Sequence, residues 1–349
     1  MNIDNAGNVM ITGEFYSSSI TFGSTTLTNS GLSDIFIATY DADGNPLWAR
    51  KAGAGGSDRG YGAAFDNEGN ALVTGDFEGT VNFGTTSISS TNNGDDVFIV
   101  KYDSAGNELW AMGFGGAGSE TGSGIVADDT GNIYACGWYY YDEFEFGGDN
   151  YPYSDLGDVF VLQVSAEGNP GWCHTFGNTS NEFAHYIECD VNNNLIVCGD
   201  FFSASLNIGG TNLTNSGNMD GFFVKYTNAG NQQWAKKCVF SQESDYASCI
   251  TSDNVGNLYV TGHAGKANTQ FGNGITVAQE GFFLTRYDTN GTAQWAYGDG
   301  GDIPSFAAWD QGFGVSTMNG ITSVGGNFMS NALFFGDLEV AHTADFGNV

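Results

Sequence analysis

Positive charge is what this sequence has least of. Its 349 residues carry 9 Lys+Arg against 40 Asp+Glu, a formal net charge of −31. A field of that sign excludes docking on nucleic-acid phosphates or anionic lipid, where Lys and Arg must replace counterions. Histidine is scarce too, with only His174, His185, His263 and His342, and no G-x-S-x-G, H-E-x-x-H or zinc-type His/Cys spacing occurs. No catalytic residue is therefore assigned. No apolar run approaches the roughly 18 residues of a membrane helix, so membrane insertion is not expected. The opening Met1-Asn2-Ile3-Asp4-Asn5 lacks the basic and apolar regions of a signal peptide. No stretch keeps the 3.6-residue period of an amphipathic helix, and 53 glycines would penalise one. The chain is nonetheless no disordered acidic tail, because charged residues make up only 14% and hydrophobic residues 41%.

What the sequence does have is a period. Gly13, Gly75, Gly137, Gly199, Gly262 and Gly325 are separated by 62, 62, 62, 63 and 63 residues, and Trp48, Trp110, Trp172, Trp234 and Trp295 by 62, 62, 62 and 61. Two independent anchors with one period mark repeats over approximately 1–57, 58–119, 120–181, 182–244, 245–301 and 302–349. Each repeat shows four strand-like pieces. In the second they are Gly62–Asp66, Ala71–Phe77, Asp96–Tyr102 and Leu109–Met112, separated by Asp-x-x-Gly-Asn turns. A longer connection with an apolar-Gly step, such as Phe83-Gly84, lies between the second and third pieces. Pieces two and three are apolar on both sides, as strands buried on both faces must be. The run 280–287 carries one residue more than its counterparts, so a β-bulge is expected there.

Four short antiparallel strands in about 62 residues is the profile of a propeller blade. The expected fold is all-β, a β-propeller of four-stranded antiparallel blades in one domain over residues 1–349. The sixth repeat stops as its third piece begins. The ring is either six-bladed with an incomplete last blade or a truncated seven-bladed one cut from a longer chain.

The full pattern is best kept at Asp66, Gly69, Asn70, Thr74, Gly75, Phe83, Gly84, Asp96, Phe98, Lys101, Tyr102, Asp103, Gly106, Asn107, Trp110 and Ala111. It resembles the SBBP-type β-propeller repeat of bacterial proteins over essentially the whole chain. The resemblance implies a secreted or cell-surface scaffold and brings no shared catalytic constellation.

Four groups of residues are candidates for more than scaffolding. The third repeat breaks the pattern with Trp138-Tyr139-Tyr140-Tyr141 and Tyr151-Pro152-Tyr153. Such rings either present a platform for a glycan or protein partner or pack onto the blade edge. Asp58, Glu120, Glu182, Asp245 and Asp302 hold an acid at one slot in every repeat where the slot exists. They either staple blades together or form a ring that concentrates Ca²⁺ at a channel mouth. The turn aspartates Asp4, Asp66, Asp128, Asp190 and Asp253 lack the ligand row of a calcium loop and are read as turn formers. Among six cysteines, Cys238 and Cys249 flank one crossover and either form a disulfide or remain free, while Cys136 and Cys198 stand where other repeats have threonine. Two functions follow. One is a non-catalytic binding or adhesion scaffold, extracellular or at the cell surface, using loops on one propeller face to hold a protein or glycan. The other is a polysaccharide-acting enzyme with a carboxylate site at the channel mouth.

Overall fold

A computed structural model describes residues 1–92, 94–299, 311–318, 321–327, 332–335 and 338–341. Among them there is no helix; strands and turns account for all regular structure. The fold is all-β, a series of four-stranded antiparallel sheets of the β-propeller blade kind. The chain divides into two compact units, Met1–Ile187 and Glu188–Val349.

The first unit holds three complete sheets. The first pairs Asn2–Ile3, Val9–Phe15, Asp34–Tyr40 and Pro46–Ala52 in that order. The second pairs Arg59–Phe65, Ala71–Glu78, Asp95–Tyr102 and Glu108–Phe114, and the third Ser119–Ala127, Ile133–Tyr140, Asp158–Val164 and Pro170–Phe176. Strand Glu182–Cys189 runs across the division. The second unit contains the pairs formed by Leu195–Phe201, Asp220–Tyr226 and Gln232–Val239. It also holds the sheet Tyr246–Ser252, Leu258–Ala264, Gly281–Tyr287 and Ala293–Asp299, and the hairpin of Gln311–Met318 with Ile321–Asn327.

The turns follow from their aspartates. Asp66 Oδ1 accepts the N–H groups of Glu68 and Asn70, each at 2.9 Å, while the Asn70 amide donates to Oδ2 at 2.9 Å. Gly69 supplies the left-handed residue of that turn at φ 78°. The same bonds recur at Asp4, Asp128, Asp190 and Asp253, and between third and fourth strands at Asp41, Asp103 and Asp288. These aspartates are turn formers. In two sheets a lysine of the third strand adds an ion pair, Lys101 to Asp66 at 2.9 Å and Lys225 to Asp190 at 2.6 Å, all four groups buried.

Both faces of the middle strands are core. Phe98 and Val100 pack with Ile35, Ile37 and Trp48 of the first sheet, whereas Val97 and Ile99 pack with Ile133, Phe160 and Leu162 of the third. Adjacent residues therefore bury toward opposite neighbours, and one sheet alone would expose half of them. The recurring tryptophan sets the spacing between sheets. Trp48 Nε1 donates to Ser104 O at 3.1 Å and Trp110 Nε1 to Ala166 O at 3.0 Å, each reaching a turn of the next sheet. A Cβ at Gly106 would sit 2.6 Å from Trp48 Cδ2, and one at Gly168 2.9 Å from Trp110 Cδ2. The turn glycines Gly106 and Gly168 keep the tryptophan period because the Trp48 and Trp110 rings lie on them.

Two local expectations are corrected. The connection with the apolar-Gly step is a hairpin of its own, for example Ser19–Phe22 with Thr25–Thr28 and Thr80–Asn82 with Ser87–Ser89. Its phenylalanine caps the core, with the Phe83 ring 4.8 Å from that of Phe98. The bulge expected in 280–287 is not there: Gly281–Tyr287 pairs with Leu258–Ala264 without a shift. Its shift against the fourth strand, between Arg286 and Tyr287, matches the one between Lys101 and Tyr102. A bulge recurs instead in the first strand, between Gly60 and Gly62, Gly122 and Gly124, Ala247 and Cys249, and Gly312 and Gly314.

Candidate functional site

A β-bulge turns one side chain away from the alternating pattern, and here it does so at the same place in successive sheets. The extra residues at these bulges are Tyr61, Ser123, Ser248 and Phe313, with His185 at the corresponding sequence position. Tyr61 and Phe313 are exposed, whereas the Ser123 hydroxyl donates to Ala184 O. The positions paired just beside the bulge vary as freely: Arg59 opposite Asp76, Thr121 opposite Trp138, Tyr246 opposite His263.

In the first unit these variable side chains join into one strip. Arg59 lies 3.2 Å from Asp76, 3.7 Å from Glu14 and 4.0 Å from Asp95. Thr121 donates its hydroxyl to Asp76 Oδ2 at 3.2 Å, which leads on to Trp138 across the strand pair. The Trp138 ring meets Phe183 edge-on at 5.3 Å and His185 at 6.2 Å, and Phe183 in turn meets Tyr140 at 6.1 Å. The strip is acidic and basic at one end, aromatic at the other. Burial pushes the Asp76 carboxyl up to about 7, against the opposing pull of Arg59. Burial also raises the Tyr61 hydroxyl to about 12, with the Asp76 charge adding to the effect.

The aromatic segment splits in two. Tyr139 is fully buried, stacked 5.2 Å from Phe144, with its hydroxyl donated to Pro152 O at 2.7 Å. It is a core residue and offers nothing to a partner. Tyr151 also belongs to this packing, 6.2 Å from Phe144, and Tyr153 packs half-buried against the same core. Trp138 and Tyr140 are half-buried, and Tyr141 is 73% exposed. Tyr141 has φ 71° at the position where the second sheet uses Gly79, φ 78°. A bulky residue held left-handed in a glycine slot is costly, and such strain gathers where a side chain has a task.

Within the first unit the shared-slot acids Asp58, Glu120 and Glu182 do not converge on one centre. Asp58 accepts from the N–H groups of Ala54 at 2.9 Å and Glu78 at 3.0 Å, Glu182 from Asn178 N–H at 2.8 Å, and Asp245 from Gly265 N–H at 2.7 Å. Each ties its own crossover to the sheet it enters. Asp302 lies outside the described residues. Among the described residues, no three His, Cys, Asp or Glu side chains converge where a metal could be held. Glu120 alone of the four finds no such partner.

Cys238 and Cys249 are separate buried thiols that form no disulfide with each other. Cys238 Sγ lies beside Gly221 within its own sheet, while Cys249 lies against Val315. Burial raises both, Cys249 to about 12, so neither is a reactive thiolate. Cys136 and Cys198 are buried where Thr12, Thr74 and Thr261 donate to a third-strand carbonyl at 2.9, 2.8 and 2.7 Å.

No family model matches the chain. It is 25% identical over 199 residues to an uncharacterized WD repeat-containing protein, L264, of Acanthamoeba polyphaga mimivirus. That match covers 47% of this chain and 14% of the relative, so the chain spans about a seventh of the relative's length. Among solved structures, a gluconolactonase from Xanthomonas campestris aligns with a TM-score of 0.40 at 10% identity, over 83% of this chain and 75% of that one. A protein of unknown function from Bacteroides caccae aligns with a TM-score of 0.33 at 12% identity, over 82% and 93%.

Proposed function

We propose that the chain is a binding scaffold for a protein partner, engaged through the strip from Glu14 and Arg59 to Trp138, Tyr140 and Tyr141. One observation carries the reading: at the shared bulge and the pairs beside it, sheets that otherwise repeat differ, with Tyr61 and the pair Arg59–Asp76 in the second and the pair Thr121–Trp138 in the third. Aromatic and arginine side chains are the types that anchor protein interfaces. The WD-repeat relative supports an interaction role in general terms. Placement outside the cell or on its surface, and kinship with SBBP-type repeats, belong to the same proposal. A photoreactive phenylalanine analogue at Tyr61 or Tyr141 should cross-link to the partner, whereas one at the turn residues Val191 or Val255 should not. Equal cross-linking at all four positions would defeat the assignment.

Asp76 favours a second reading, hydrolysis of a polysaccharide. A carboxyl held near neutrality beside Arg59 has the proton affinity of a general acid. Release of reducing ends from a polysaccharide panel, abolished by Asp76→Asn, would establish it. Wild-type protein inert on the panel would leave the scaffold.

A further inference from the structure

Each of the first four crossovers between sheets carries two buried acids rather than one. The shared-slot acid is joined by an aspartate that opens the preceding third strand, giving Asp34 with Asp58, Asp96 with Glu120, Asp158 with Glu182, and Asp220 with Asp245. All eight are buried. Two like charges out of water must be offset, and the means differ among the crossovers.

At the first, Lys51 Nζ lies 2.6 Å from Asp34; at the fourth, Lys237 Nζ lies 2.9 Å from Asp220. These lysines are equivalent by register, since Lys51 pairs with Phe36 and Lys237 with Phe222. At the third crossover the register position is Thr175, opposite Phe160, and Asp158 accepts from the Ser154 N–H at 2.9 Å as well as its hydroxyl. At the second, the residue opposite Phe98 is Gly113. Phe77 and Ile88 fill the space above it, 3.0 and 3.2 Å from where a Cβ would lie. The polypeptide supplies no cation there.

The consequence is visible at Glu120. It has no exposure, and neither carboxylate oxygen receives a well-formed hydrogen bond, although the Gly116 N–H lies near enough to favour the charged form. Asp96 Oδ2 accepts from the Thr91 N–H at 3.1 Å and from its hydroxyl at 3.3 Å, whereas Oδ1 is buried and without a partner, as are Asp34 Oδ1 and Asp220 Oδ1. The charges acting on Glu120 from Asp96, Asp95 and Asp142 are all negative. Three glycines shape the surroundings. A Cβ at Gly115 would collide with Glu120 Oε2 and lie 3.1 Å from Asp96 Oδ1, so the two carboxylates close on one point. A Cβ at Gly118 would lie 3.1 Å from Glu120 Oε1 and collide with the carbonyl of Tyr140, and one at Gly116 would lie 3.6 Å from Oε1 and collide with the carbonyl of Glu143. Side chains at these glycines would fill a cradle lined by carboxylate and carbonyl oxygens.

We infer that Asp96 and Glu120, with the carbonyl oxygens of Tyr140 and Glu143, bind a hard divalent cation, Ca²⁺, at a crossover that lacks the lysine of the first and fourth. Oxygen-only ligands, two of them carboxylates, suit Ca²⁺ better than Mg²⁺, which sheds its waters reluctantly. One ion thereby replaces one lysine, tying the second sheet to the third.

The test uses the full chain, stripped of divalent ions with chelator, at constant ionic strength. Calorimetric titration with CaCl₂ should show a saturable site that Asp96→Asn/Glu120→Gln weakens at least tenfold, while MgCl₂ binds at least tenfold more weakly. Tb³⁺ should emit through sensitisation by the surrounding tyrosines, and CaCl₂ should quench that emission in wild type alone. The amide variants remove buried charge without changing shape, and circular dichroism checks that they fold; the single variant Asp96→Asn carries the same comparison if the pair does not. Absence of a saturable Ca²⁺ site in wild type, or equal affinity in wild type and variants, overturns the assignment. The latter would mean that Ca²⁺ merely gathers on the acidic surface.

Discussion

Replacing Glu120 by glutamine in chelator-treated protein should stabilise the fold, and only at higher pH. Burial, opposed weakly by Gly116 N–H and reinforced by Asp96, pushes the Glu120 carboxyl from an ordinary 4.5 up to about 8. A raised carboxyl means that the folded state holds the proton more tightly than the unfolded chain does. Stability from this group is therefore complete below pH 4.5 and drains away as pH rises to about 8. At ~1.4 kcal/mol per pH unit, that interval sets a ceiling of ~5 kcal/mol; relaxation and entering water would leave ~2–3 kcal/mol. Glutamine cannot lose a proton, so the variant should match wild type near pH 5 and exceed it by ~2–3 kcal/mol near pH 8.5. Urea unfolding across that range, followed by tryptophan fluorescence, measures the divergence. Parallel profiles for the two proteins would refute the reasoning, because Glu120 would then titrate normally.

Three other outcomes follow from the packing. Gly106→Ala should cost ~2–3 kcal/mol, since the residue sits at φ 76° and its Cβ would press on Trp48; Gly44→Ala, with φ 82° but open space around it, should cost only ~1 kcal/mol, and equal losses would dismiss the ring contact. Lys101→Met should destabilise by ~3 kcal/mol by stranding the buried Asp66 carboxylate, and Asp66→Asn in the same chain should restore part of it, a coupling that a double-mutant cycle reads directly. The buried thiols of Cys136, Cys198, Cys238 and Cys249 should resist iodoacetamide until denaturant is added, and non-reducing peptide maps should contain no Cys238–Cys249 peptide.

The repeat made the architecture legible because the contacts that define it are themselves periodic. Asp66, Gly69 and Asn70 close one turn, and Trp48 lies on the turn glycine Gly106, so each motif residue has a partner inside the motif. The small hairpins were less legible. Their strands are three or four residues long and polar, as in Thr25–Thr28, too short to show a period of two. The misplaced bulge has a similar cause: counting residues along 280–287 detects an extra residue but not where pairing absorbs it, whereas the shared first-strand bulge leaves the count unchanged in every repeat.

The site was legible where the alignment of repeats was followed residue by residue and obscure where a segment was read as a block. Tyr139 stands in register with Phe15, Phe77 and Phe201, all buried, so the alternation of the strand already sends it inward while Trp138 and Tyr140 face the other way. Reading the four aromatics as one surface overrode that signal. The shared-slot acids were found as a column, but the column hides what matters at each crossover, which is the partner of the acid. Lysine at 51 and 237, threonine at 175 and glycine at 113 occupy one register position, 62 residues apart each time. Only the paired strands show that this position faces the aspartates, and only then does Gly113 become informative. A repeat that keeps two buried acids yet loses their cation has either changed the charge of the acids or changed the source of the cation. Asp96 Oδ1 and both Glu120 oxygens remain without a well-formed hydrogen bond, so the pH profile of Glu120→Gln and the Ca²⁺ titration address the same imbalance from its two sides. A wild-type profile that flattens when CaCl₂ is restored, with Glu120→Gln indifferent to it, would join them; a wild-type slope unchanged by saturating CaCl₂ would separate them and leave the proton as the neutralising partner.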